Sequence, residues 1–195
     1  MTEVLVGAAV SALAFGVLVL FVWRDLAPAA GLHGGGRWFL VAALGTEQLD
    51  QMFEAIGELE AACARHAALR MTPPDRDQLM ELHREGRAAM QASDFERYDA
   101  ANLALHTAII RGSYNPVLID MATSLRHRVA PFRRTQFRNM ERMGESFEEH
   151  AVIVEAILAH DAVTTYRQMR THLQSARTAT SRVAPAWASA QPLTK

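Results

Sequence analysis

Three histidines and one asparagine in this chain have the types and spacings of a ligand set for a transition metal. Asn102 and His106 stand four residues apart. On a helix that spacing puts both side chains on one face, about 40° apart, within reach of a shared ion. His150 lies eleven residues before Asp161, and His172 lies eleven after it. Asp161 separates two apolar-periodic segments and reads as the N-cap of the second. If these segments form an antiparallel hairpin, residues equidistant from its turn share one level along the axes, and His150 faces His172. With Asn102 and His106 from a third helix, three imidazoles and one amide oxygen meet inside a bundle. Such a donor set suits a divalent transition metal, zinc first, with nickel or manganese as alternatives.

The elements that must position these residues are announced by helix start signals. Thr46 can cap a helix running to about Arg70, and Thr72-Pro73-Pro74-Asp75 combines a cap with proline in the first turn. Ser93 to Glu96 and Ser146 to Glu149 both read as capping boxes. Asn115-Pro116 starts a helix directly after the breaker Gly112-Ser113, and Asp161 starts the last. Six helices of roughly 12 to 25 residues joined by short turns make an all-α antiparallel bundle over residues 46–183.

The totals agree with this reading. A chain of 195 residues holds one domain with a sizeable core, or a domain plus an appendage. Half the residues are apolar and only 7% are aromatic, with Ala, Leu, Arg and Met prominent, which favours helix over sheet. A net charge of −1 gives no general attraction to nucleic acid. The single cysteine, Cys63, permits no disulfide framework, makes a reducing compartment the default, and reads as a small core residue.

Residues 1–45 differ in texture. Val4 to Trp23 carry no charge, between Glu3 and Arg24-Asp25, and their length matches a membrane span. An acidic start argues against a secretory signal, and a buried helix is the other reading. One arginine opposite one aspartate gives no orientation. Gly34-Gly35-Gly36 is a break, and Arg37 to Val41 is a short β-prone run, the one candidate strand. The expected organisation is an apolar N-terminal helix and linker over 1–45, the bundle over 46–183, and a disordered tail over 184–195 with Pro185 and Pro192.

Several runs, taken in order, carry a family likeness. They are Leu59 to Ala68, Tyr98 to Asn102 with His106, Asn115 to Leu118, Glu149-His150, Ala156-Ile157, Asp161, and Met169 to Leu173. Over about Trp38 to Val183 the chain resembles the FCD effector domain of GntR-type bacterial transcription regulators. The resemblance implies a helical ligand-sensing domain, usually a homodimer, whose metal site is closed by a small organic acid and which controls an N-terminal winged helix-turn-helix. Matched residue by residue, the family's metal ligands fall on Asn102, His106, His150 and His172. Asn102 stands where the family most often has aspartate, and donates less charge to a metal. Ile56 stands where the family often has an arginine, so the effector carboxylate must be held from elsewhere. A winged helix-turn-helix needs roughly 65 residues. Only the 45 preceding Thr46 are at hand, so DNA contact is expected only through a reader missing or truncated here. Gly36 to Val41 resembles its last wing strand.

Among six arginines between Arg126 and Arg142, Arg133 and Arg134 are the candidates for holding an effector carboxylate. His33, His66, His83, His127 and His160 lack partners of this kind, and His160 reads as a helix C-terminal histidine. Two functions follow. One is a sensor of a small acid through a metal, without turnover. The alternative is a metal-dependent hydrolase or lyase, which needs a general base near the metal, and Glu149 stands about 100° around the helix from His150. The first reading places the protein in the cytoplasm; residues 4–23 could anchor it to the cytoplasmic membrane.

Overall fold

The computed structural model describes Val19–Leu20, Val41–Ala42 and residues 46–183. The chain divides into two units, 1–45 and 46–195. In the first, β1 (Val19–Leu20) and β2 (Val41–Ala42) pair antiparallel, Val19 opposite Ala42 and Leu20 opposite Val41. The β-prone run thus ends in a strand, while Val19 and Leu20, expected within an apolar helix, are extended instead. The remainder of residues 4–23, the glycine break and the tail after 183 lie outside the described residues. Among the described residues, no helix is long and apolar enough to cross a membrane.

The second unit is the expected all-α bundle of six helices: α1 (Thr46–Arg70), α2 (Pro73–Gln91), α3 (Phe95–Arg111), α4 (Pro116–Arg134), α5 (Met140–Leu158) and α6 (Ala162–Val183), with a 3-10 turn at Thr135–Arg138 before α5. Local chemistry sets the ends. Thr72 accepts from the Asp75 N–H while the Asp75 carboxylate accepts from the Thr72 N–H, and Asn115 Oδ1 caps α4 ahead of Pro116. Asp161 Oδ1 accepts from the N–H groups of Val163 and Thr164, as its N-cap reading required.

Two start signals were misplaced. Asp94, not Ser93, caps α3, because Ser93 (φ 56°) is the left-handed residue that closes α2, with Asp94 N–H donating to Ala89 O. Ser146 is no cap either. Asn139 accepts from Glu141 and Arg142 N–H and starts α5 there, leaving Ser146 fully buried inside the helix. A capping box read from side-chain types cannot distinguish a helix start from an interior turn when a better cap lies two turns earlier.

The apolar faces meet in one interior that includes Ile56, Leu79, Ile109, Ile153, Met169 and Leu173. α1 packs along α6, α2 against α3, and α5 against α6. Gly112 sits where any Cβ would collide with the Met71 side chain, which lets the end of α3 close on the α1–α2 link. One buried arginine fastens the turn of the α5–α6 hairpin. Arg76 donates to Ala68 O and Met71 O at the end of α1 and to Ile157 O at the end of α5, and its Nη2 lies 3.1 Å from Nδ1 of His160, the left-handed residue of the turn. Ala68 O and Met71 O lie at the open end of α1, and Ile157 O, which also accepts from His160 N–H, lies at the end of α5, where positive charge is most favourable. Replacing Arg76 with alanine removes the donor from Ala68 O and Met71 O and the cation from both helix ends. We expect a loss of about 3 kcal/mol, measured as a lower midpoint in urea unfolding at unchanged slope.

Candidate metal centre

His106 on α3, His150 on α5 and His172 on α6 converge in the interior, each no more than 4% exposed. Their Nε2 atoms form a nearly equilateral triangle: 3.1 Å from His106 to His150, 3.2 Å from His150 to His172 and 3.3 Å from His172 to His106. The hairpin symmetry about Asp161 is thus realised, with the rings of His150 and His172 4.5 Å apart. An ion at the usual zinc–imidazole distance of about 2.1 Å from all three nitrogens sits about 1 Å above their plane, with N–metal–N angles of about 100°. Those angles match one face of a tetrahedron, so the donor set fits a transition ion without rearrangement.

Two carboxylates decide which nitrogens point inward. His106 Nδ1 donates to Glu60 Oε2 at 2.5 Å, and His172 Nδ1 donates to Glu149 Oε2 at 2.6 Å. An ionised carboxylate only accepts, so each ring carries its proton on Nδ1 and presents a bare Nε2 lone pair. His150 can donate one Nε2 proton to one of them, which still leaves the lone pairs of His106 and His172 opposed across 3.3 Å. A cation at the centre relieves that conflict.

Glu60 itself is fully buried on α1 and also accepts from Arg126 Nη1 at 2.6 Å. Burial pushes its carboxyl pKa upward, but Arg126 and then His106 outweigh burial and hold it well below the usual carboxylate range. Glu149 is brought down to about 2 against the same burial, by bonds from His172 and Arg142. Burial pushes His106 down to about 3, with Arg126 adding to the effect, and lowers His150 and His172 as well. All three imidazoles are therefore neutral at pH 7, as ligands must be.

The other expected residues separate. Asn102, one turn before His106, is buried at 3% exposure, lines a small cavity beside His150, and leaves its Nδ2 without a hydrogen-bond partner. Arg133 faces inward at 3% exposure, with an unpartnered Nε. Burial first, then Arg126, lowers its pKa to about 9. Arg134 lies on the surface, paired with Asp99 at 2.7 Å. His83, which sequence left without partners, lines the same cavity as Asn102 and His150 and stacks on Phe147 with ring centroids 4.6 Å apart. Sequence reasoning assigned no role to Glu60 and Arg126. The signal was present: Glu60 follows Ile56 by four on α1, and Arg126 follows Ala122 by four on α4, so charged residues occupy positions of an apolar stripe.

Two outcomes follow for the metal-free protein. The folded state refuses protons that unfolded histidines accept below their ordinary pKa of 6.5. Stability is therefore fully present above pH 6.5 and falls as pH drops, at about 1.4 kcal/mol per pH unit for His106 alone down to its folded value of about 3. Urea midpoints between pH 7.5 and 5 measure that slope. Replacing Glu60 with alanine strands Arg126 in the interior and is expected to cost about 3–5 kcal/mol in the same assay.

Comparison with known proteins gives the helical unit a family and a fold. The sequence matches the FCD domain family over residues 51–175. It is 31% identical over 127 residues to the galactonate operon transcriptional repressor of Escherichia coli K12, covering 64% of this chain and 54% of that one. It is 27% identical over 135 residues to a protein of the same strain named for regulation of the L-lactate dehydrogenase operon, covering 67% and 51%. The chain thus spans about half the length of these curated relatives, which are named as regulators of transcription and not as enzymes. Its fold superposes on the metal-free FCD domain of TM0439 with a TM-score of 0.62 at 20% identity, covering 74% of this chain and 99% of that one. Residues 46–183 fold as the helical effector-binding domain of GntR-type transcription regulators, and the chain belongs to the FCD domain family.

Proposed function

We propose that this domain senses a small hydroxy carboxylate through a bound divalent transition metal, zinc first, and that the bound state sets the activity of a DNA-binding part of the regulator. The observation that carries the reading is the set of three neutral imidazoles whose Nε2 atoms meet at one point, two of them oriented by the carboxylates of Glu60 and Glu149. Asn102, on the face of α3 that bears His106, supplies the fourth protein ligand through its amide oxygen. A metal held by these residues would supply a Lewis-acidic position able to take a carboxylate oxygen.

Charge supports an anionic effector. Arg126 and Arg133 are both buried, and Glu60 is the carboxylate bonded to Arg126, so the cluster carries an excess of positive charge before any metal is added. Arg133, and not the surface residue Arg134, is the cation we assign to the effector. Two relatives are named for operons of galactonate and of L-lactate dehydrogenase, and galactonate and lactate are both hydroxy carboxylates. The hydrolase reading is weaker, because the carboxylates nearest the imidazoles are engaged: Glu60 with His106 and Arg126, Glu149 with His172 and Arg142. Neither is free to act as a general base. Helices α3, α5 and α6 each bring one imidazole to the same point, so an ion held there would couple all three, and a homodimer would pass a shift of one against another to paired DNA readers.

Zinc titration tests the site. Bound to the folded state alone, the metal should stabilise the domain by about 2.7 kcal/mol at a hundredfold excess of free ion over its dissociation constant. His106→Ala and His172→Ala should abolish the rise in melting temperature, while His127→Ala, at an exposed position, should retain it. An equal rise in all three variants would place the ion elsewhere.

A further inference from the structure

A cavity of about 10 Å³ adjoins His150 between α2, α3 and α5, the size of a single water or hydroxyl. Its lining includes His83 and Gly86 of α2, Tyr98 and Asn102 of α3, and Phe147 and His150 of α5. Three of these side chains bring buried polar atoms with no hydrogen-bond partner: His83 Nε2, the Tyr98 hydroxyl and Asn102 Nδ2. The neighbouring Ser146 hydroxyl is out of bonding geometry and is also unpartnered. Tyr98 and Asn102 are 1% and 3% exposed, so solvent at the surface does not satisfy them. Buried polar groups left unpaired are costly, and so many around one small space need an occupant that can both donate and accept.

Gly86 is an independent sign. It is buried in the interior of α2, where glycine is the least favourable ordinary residue for a helix. A Cβ added there would meet nothing within 4 Å, and its backbone has no left-handed φ. Neither crowding nor conformation calls for glycine at this position. What its missing side chain leaves is open volume on the cavity wall.

We infer that this cavity is a specificity subsite that takes one hydroxyl of the effector, on the carbon beyond the metal-bound end, and that Gly86 keeps it open. The inference rests on the sensor reading above. Asn102 has a double part in it. With its oxygen on the metal, its Nδ2 still offers a proton to the effector, which an aspartate at that position could not do. Tyr98, whose phenol is raised to about 12 by burial, keeps a proton to give and a lone pair to accept. Phe147, with His83 stacked on it, closes the apolar side.

Lactate and glycerate differ by one hydroxyl on the third carbon, so the pair isolates this subsite. With zinc-loaded protein, calorimetry should show glycerate binding about three- to tenfold more tightly than lactate, the worth of one added hydrogen bond. Tyr98→Phe should bring glycerate down to the affinity of lactate. Gly86→Ala should do the same while raising the metal-free melting temperature, a combination that a purely structural glycine would not give. Equal affinities in the wild type, or a preference that survives both substitutions, would overturn the subsite and leave the cavity to water. Failure of the wild type to take up zinc or either acid would instead sink the sensor reading, and this inference with it.

Discussion

A single buried carboxylate, Glu60, bears on nearly every feature of the site. It neutralises Arg126, fixes the proton of His106 on Nδ1 and so turns Nε2 toward the other two imidazoles. Bare hydrophobic packing between α1, α3 and α4 would hold the helices together about as well, since a buried ion pair recovers little more than its own desolvation. What packing cannot do is choose a tautomer. The pair of charges is therefore best understood as a cost accepted for orientation, and α1, which brings no imidazole to the triangle, is as much part of the centre as the helices that do.

The fold and the centre were readable from the chain to unequal degrees. Caps with one physical solution, such as Asn115 before Pro116 or Asp161 between two apolar segments, placed helix ends correctly. His150 and His172 could be paired because a hairpin converts equal sequence distance into equal height. Ser146 misled because serine followed by glutamate three residues on occurs equally on the buried face of a helix. The roles of Glu60, Arg126 and His83 were not legible in the sequence, since they depend on contacts between helices far apart in it. Glu60 meets His106 across 46 residues. A charged residue on an apolar stripe was the available hint, but such a hint gives no partner. Arg133 and Arg134 show the same limit: adjacent in sequence, they are separated by the helix into one buried and one exposed cation.

The interior divides its labour along the helix axes. Toward the α5–α6 turn, Arg76 gathers the ends of α1 and α5 by hydrogen bonds to carbonyls, a rigid arrangement that involves no titrating carboxylate. In the body of the bundle, opposed imidazole lone pairs and the buried guanidinium of Arg133 form the part whose energy a bound ion and anion would change. A domain built to respond needs both, one part that stays and one whose energy depends on occupancy.

The packing of α1 along α6 has a further consequence for how the chain reaches this state. About ninety residues separate the end of α1 from the start of α6, so during synthesis at 5–20 residues per second the first helix waits roughly 5–20 s for its main partner. For that time the ribosome carries an amphipathic segment whose Met52, Phe53 and Ile56 lack their cover from α6, and until α4 is made its Glu60 also lacks Arg126. The imidazole of His172 is the last of the three to be made. Capture of a metal by the three imidazoles would therefore be a late event in the life of the nascent domain, once translation has closed the first helix against the last.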